Sequence, residues 1–122
     1  MPFNSAVVGQ STRQFTHDVD ARWLMAYAAG LGDTNERYMD TAANRVIAHP
    51  VFPVCLEWPV ILDCFNLPGT ESVTQEEQAR NVHAAHNLEI FRPMRAGEKL
   101  TTTATVVALS QIKPGAAQTI RL

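Results

Sequence analysis

Apolar and polar positions alternate along this chain with two different periods. Residues 11–17 (S-T-R-Q-F-T-H) are short and rich in Ser and Thr, and they predict an edge strand. Asp20 then has the chemistry of a helix N-cap. Trp23, Leu24, Tyr27, Ala28 and Leu31 recur at i, i+1, i+4, i+5 and i+8, one face of a helix that Gly30 or Gly32 ends. A loop or short helix carries the chain past Tyr38 and Asp40. Residues 53–66 (P-V-C-L-E-W-P-V-I-L-D-C-F-N) predict a second helix. Pro53 suits its first turn, and Pro59 should kink or divide it. Leu56, Trp58, Val60, Ile61, Leu62 and Phe65 leave hardly any polar face, so the pattern predicts a helix enclosed by protein.

Beyond Pro68-Gly69 the pattern turns polar, and residues 70–81 read as a solvated loop. Strand periodicity follows. His83 to Phe91 has strand character, with Leu88 and Ile90 on one face, until Pro93 ends it and Ala96-Gly97 turns the chain. From Leu100 to Leu109 the alternation is regular: Leu100, Ala104, Val106 and Ala108 on one face, Thr101, Thr103 and Thr105 on the other. Lys113-Pro114-Gly115 is a turn signal. Gln118 to Leu122 begins another strand, with Ile120 and Leu122 on one side, and the chain stops there. A buried helix followed by an antiparallel meander predicts an α+β class, a hot-dog fold in which an antiparallel sheet wraps around a central helix. At 122 residues the whole chain, 1–122, reads as one such domain.

Composition narrows the classes of function. Hydrophobic residues make up 46%, the share of a globular chain, and the net charge of −2 offers no footprint for nucleic acid or for an anionic membrane. No apolar run reaches the ~18 residues of a membrane span, and the start M-P-F-N-S lacks the layout of a signal peptide. The reading is a cytoplasmic protein. Cys55 and Cys64 stand nine apart in one predicted helix, roughly 13 Å of rise, too far for a disulfide. Both read as small buried apolar residues, and no spacing suits a metal, so neither metal nor cofactor is expected.

The most informative segment is Tyr27 to Asp40, Y-A-A-G-L-G-D-T-N-E-R-Y-M-D. It resembles the hydratase signature Y-A-x-x-x-G-D-x-N-P-x-H-x-D of the MaoC-like, (R)-specific enoyl-CoA hydratases. I47-A48-H49-P50-V51-F52-P53 resembles that family's approach to the central helix. H83 to E98 resembles its H-x-x-x-x-x-x-x-x-R-P-x-x-x-G-[DE] segment. The resemblance covers most of the chain and implies the hot-dog fold. It implies a further strand after residue 122, so the chain is expected to be truncated, or its edge completed by a partner.

Hydrating a 2-enoyl thioester takes a base for water, an acid for the α-carbon, and donors for the enolate oxygen. The resemblance puts Asp33 on the family's catalytic acid and Asn35 on a loop hydrogen bond. Glu36 stands where the pattern has Pro, and Tyr38 where it has His. Tyr38 is then either a proton donor or an aromatic plug in the pocket. His49 falls on the His of the family's A-H-G approach, in a catalytic or a structural role. The Gly that offers an oxyanion N–H is here Pro50, which has none, leaving Val51 or Phe52 as the nearest donors. Arg92, Arg95 and Lys99 gather round one turn, suited to coenzyme A phosphates or to solvent. His83 and His86, three apart on a predicted strand, should point to opposite faces. Glu57 and Asp63, on the apolar helix, each need a partner or a pocket.

Two departures, at Tyr38 and Pro50, resemble the half of a double hot-dog hydratase that lacks the full acid–base pair and shapes the acyl tunnel. The implied function is the acyl-CoA-binding half or subunit of a 2-enoyl-CoA hydratase or 3-hydroxyacyl-thioester dehydratase of fatty acid metabolism. Its partners are an acyl-CoA or other acyl thioester and, in a homo- or hetero-oligomer, another hot-dog domain. A non-catalytic acyl-thioester-binding scaffold and a hot-dog thioesterase with Asp33 or Glu57 as base are the alternatives.

Overall fold

The computed structural model describes residues 3–42, 45–113 and 115–122. These form a mixed α/β structure of four α-helices, two 3-10 helices and four strands among the described residues. The strands are β1 (Phe15–Asp18), β2 (Lys99–Thr102), β3 (Thr105–Ile112) and β4 (Gly115–Arg121). The helices are α1 (Ala21–Gly30), α2 (Glu36–Met39), α3 (Pro53–Asp63) and α4 (Gln75–Ala79). β1 pairs with β2, and β3 with β4. The chain falls into two compact units. One comprises Met1–Phe15, Glu57–His86 and Thr102–Leu122; the other comprises Thr16–Leu56 and Asn87–Thr101.

The second unit carries the candidate site. Asp20 caps α1 by accepting the Trp23 N–H at 2.7 Å. Leu24 and Ala28, four apart, bury the inner face of α1. They join Val19, Val46, Ala48, Phe52 and Leu56 in one cluster, with Trp23, Tyr27, Met94 and Leu100 packed against it. Phe52 is fully buried, with Trp23 and Tyr27 edge-on at 5.1 and 5.4 Å between centroids. That geometry sets ring edges against ring faces and stabilises beyond area alone. β1 leads into this core, where the Gly97 N–H donates to the Val19 carbonyl at 2.7 Å.

In the first unit Val7, Val60, Cys64, Leu67, Ala104 and Val106 form the core, with Phe15, Leu109 and Ile120 against it. β3 and β4 are antiparallel, from Thr105 opposite Arg121 to Ile112 opposite Gly115. Ser11 bridges to Thr105, so the strand expected at 11–17 is divided between this contact and β1. Pro114 of the expected turn lies outside the described residues.

Leu100–Leu109 is not one strand: the ladder stops after Thr102 and resumes at Thr105 in a different sheet. A register shift between Val106 and Ala108 then inserts a residue, so Leu109, not Ala108, packs on the core. Residues 70–81 hold α4, nucleated by a capping box in which Thr74 and Glu77 satisfy each other's backbone N–H. His83–Phe91 joins no sheet. α3 runs through Pro59 without interruption, and a 3-10 turn at Cys64–Asn66 continues it. It is not enclosed on every side, because Trp58 and Leu62, one turn apart, are 48% and 49% exposed.

Gly69 is held by more than its own preference. Its φ is +97°, and a Cβ there would lie 2.8 Å from the Val7 backbone nitrogen. Gly69→Ala combines left-handed strain with a backbone collision and should cost about 2 kcal/mol or more, lowering the thermal midpoint by roughly 5–10 °C. Gly9 (φ +89°) has nothing within 4 Å of such a Cβ. Gly9→Ala should therefore cost only the strain, about 1–2 kcal/mol. Equal midpoints for the two variants in thermal melts would contradict this account.

Candidate acid–base site

The end of α1 sets the first acid. Its last carbonyls are closed by the N–H groups of Leu31, Gly32 and Asp33, the last reaching the Ala28 carbonyl at 3.0 Å. Gly32 turns left-handed at φ +76° to make this possible. Asp33 Oδ1 accepts the Asn35 N–H at 3.2 Å, and Asn35 Oδ1 accepts the Arg37 N–H at 3.1 Å and starts α2. Two short polar side chains thus write the loop by bonding the backbone two residues on. α2 buries Tyr38, and the Ile47 N–H donates to the Arg37 carbonyl.

The second group arrives on the approach to α3. Phe52 N–H donates to the His49 carbonyl at 2.8 Å, closing a turn, and Val51 N–H donates to His49 Nδ1 at 3.2 Å. Because Nδ1 accepts, the imidazole proton resides on Nε2. Nε2 lies 3.4 Å from Asp33 Oδ2. The approach is close, but its alignment falls short of a hydrogen bond, a looseness common in acid–base pairs without substrate. The Tyr38 ring lies against the imidazole, 5.2 Å between centroids and tilted by 51°.

His49 and Tyr38 line a pocket of about 180 Å³. Ile47, Ala48, Pro50, Pro53, Ile90, Pro93 and Met94 make most of its wall apolar, and Arg37 completes it. This is smaller than a drug-sized ligand site and suits a short apolar chain. Among the described residues Arg37 makes no ion pair.

Residues 6–122 match the family model described as "FAS1-like, dehydratase domain region". The chain belongs to that dehydratase-region family. The MaoC-like hot-dog resemblance of the sequence thereby holds at the level of the family. Its relatives include three proteins named only "UPF0336 protein". One, from Streptomyces coelicolor, is 26% identical, with 92% of this chain and 77% of that protein covered. Another, from Streptomyces griseus subsp. griseus, is 26% identical with 79% and 65% covered. The third, from Parafrankia sp., is 24% identical with 92% and 76% covered. The chain thus spans about two thirds to three quarters of these relatives.

In this dehydratase-region chain, then, Asp33, Tyr38 and His49 come together, with Asn35 beside them as a loop brace. Val51 and Phe52 do not offer free donors, because both N–H groups are spent on His49. The next two N–H groups, of Val54 and Cys55, donate to the carbonyls of Val51 and Phe52. Arg92 pairs with Glu98 at 2.6 Å, and Lys99 with Asp18 at 3.5 Å. The sequence reading missed Arg37 as a wall residue and Tyr27, whose hydroxyl donates to the Val51 carbonyl at 3.2 Å. The Tyr of the Y-A-x-x-x-G-D run was the available signal for the second.

Glu57, Asp63, Cys64, His83 and His86 lie in the first unit. Glu57 Oε2 lies 3.0 Å from His86 Nε2. That oxygen makes no aligned hydrogen bond, so the contact is electrostatic. His83 and His86 do not point apart: with no ladder to alternate them, their rings stack at 5.3 Å. Asp63 takes the Asn66 amide at 3.1 Å and Arg13 at 3.9 Å. Burial, and then the Asp63 carboxylate, push the Cys64 thiol up to about 11, which makes it an apolar filler rather than a nucleophile. Among the described residues no cluster of three or more His, Cys, Asp or Glu could hold a metal, and no helix is long and apolar enough to cross a membrane.

The Arg95 backbone N–H, at 3.1 Å, holds the Glu98 carboxyl below its ordinary 4.5, and Arg92 adds to the effect. A depressed folded pKa stabilises above the unfolded value and is lost as pH falls through the folded one. Glu98→Gln should therefore lower the thermal midpoint most near neutrality, and the gap to wild type should close below about pH 4.5. A gap that widens on acidification would refute the assignment.

Proposed function

We propose that this chain is an acyl-thioester-binding hot-dog domain, its sheet wrapped around α3. In this reading it hydrates 2-enoyl-CoA, or dehydrates the corresponding 3-hydroxyacyl thioester, through Asp33 and His49. The supporting observation is the 3.4 Å approach of Asp33 Oδ2 to His49 Nε2, with His49 in the wall of a small apolar pocket. The Tyr38 departure removes an imidazole from the family's position, and His49 brings one to the same carboxylate from another. Asp33 takes a proton from a water that the Nε2–H of His49 orients. The hydroxide adds to the β-carbon, and Asp33 returns the proton to the α-carbon. The Tyr38 ring walls the imidazole.

The weak point of this chemistry is the enolate oxygen. Pro50 has no N–H, and those of the following turn are occupied. One missing oxyanion donor costs about 10²–10³ in rate. The isolated chain is therefore a slow hydratase that a second hot-dog domain completes. Arg37, with Arg92, Arg95 and Lys99, is proposed to meet the phosphates of the carrier. The same occupied donors favour a second reading, a non-catalytic acyl-thioester-binding domain.

Crotonyl-CoA hydration by the purified chain should be slow but measurable. It should fall by about 10²–10⁴ in Asp33→Asn and in His49→Gln. Pro50→Gly, which returns an N–H to the helix approach, should raise it by up to about 10². Binding of acyl-CoA by calorimetry, with no turnover alone or beside a partner domain, would establish the second reading. Release of free thiol would mean a thioesterase.

A partner is proposed for a further reason. Trp58 and Leu62 on α3, and Val82 and Phe91 on the unpaired 83–91 segment and its flank, are exposed apolar side chains. Exposed apolar side chains of this kind invite a covering partner. Light scattering after size-exclusion chromatography should give a mass above 13.5 kDa at micromolar concentration. A clean monomer would count against it.

A further inference from the structure

We infer that Tyr27 is a positioning residue that holds the His49 imidazole in register with Asp33; this rests on the acid–base reading above. α1 reaches the site at two points. Its C-terminal turn delivers Asp33, whose N–H is tied to the Ala28 carbonyl. One turn earlier, the Tyr27 hydroxyl donates to the Val51 carbonyl at 3.2 Å. Val51 is the residue whose own N–H fixes His49 Nδ1. The path from Tyr27 through Val51 and His49 to Asp33 therefore closes a ring of contacts on one rigid helix. Each member constrains the next: Tyr27 the tilt of Val51, Val51 the tautomer of His49, and the tautomer the Nε2–H facing Asp33.

Among the described residues no other hydrogen bond ties Val51 to α1. The Val51 carbonyl also accepts the Val54 N–H at 3.2 Å, so the turn survives without Tyr27, but that bond stays within the approach segment. The Tyr27 ring packs edge-on to Phe52, a role a phenylalanine keeps. Burial, and secondarily Cys55, raise the Tyr27 pKa above 10.0, so the hydroxyl keeps the proton it donates. Packing and positioning thus reside in different atoms of one side chain and can be separated.

The test is Tyr27→Phe in the full chain, uniformly labelled with ¹⁵N. Long-range ¹H–¹⁵N spectra distinguish bare from protonated ring nitrogens, with His49→Gln giving the assignment. Wild type should show a bare Nδ1 and a protonated Nε2 at His49. Tyr27→Phe should show mixed tautomers on an unchanged amide spectrum. Its kcat for crotonyl-CoA should fall by roughly ten- to a hundredfold with KM little moved, the signature of misplacement rather than lost binding. A wild-type tautomer ratio in the variant, or a protonated Nδ1 in wild type, would overturn the inference. Absence of hydration in both proteins would sink the acid–base reading alone, because the ring-nitrogen spectra still decide the role of Tyr27.

Discussion

The burial of Phe52 against α1 is the contact on which the site depends. Phe52 is wholly inside, between the edges of Trp23 and Tyr27. Its backbone N–H closes the turn to the His49 carbonyl, so fixing the ring fixes the turn. The polar pair therefore hangs from an apolar anchor. Moving the Asp33–His49 pair by a fraction of an ångström would require repacking a close-packed core, and such cores are not continuously deformable.

One N–H explains both what the site has and what it lacks. Val51 donates to His49 Nδ1 and so selects the tautomer that faces Asp33. The same group then cannot also serve an enolate oxygen. Pro50 removes the donor before it, and the 3-10-like turns into α3 occupy those after it. The donors at this helix entrance are spent on holding the His49 imidazole and its turn.

The acids of α3 follow a different logic. Glu57 and Asp63 sit on an apolar helix, where an unpaired charge is costly. Each has found a partner within its own compact unit, His86 for one and Asn66 with Arg13 for the other. Their presence is accounted for by pairing.

The sequence alone determined α1, its Asp20 cap, its glycine end and the long apolar helix, because each is written in neighbours a few residues apart. Membership of the dehydratase family was legible for the same reason, in three ordered local motifs. Local periodicity failed where a strand's partners decide: 83–91 has a strand's alternation but no ladder, and Leu100–Leu109 splits at Thr103-Ala104 although its pattern runs on. The capping box of α4 was written in Thr74 and Glu77 but masked by polar composition. Only the tertiary structure decided that His49 meets Asp33. That meeting depends on how Phe52 packs against α1, and a contact between segments far apart in the chain leaves no period in either one.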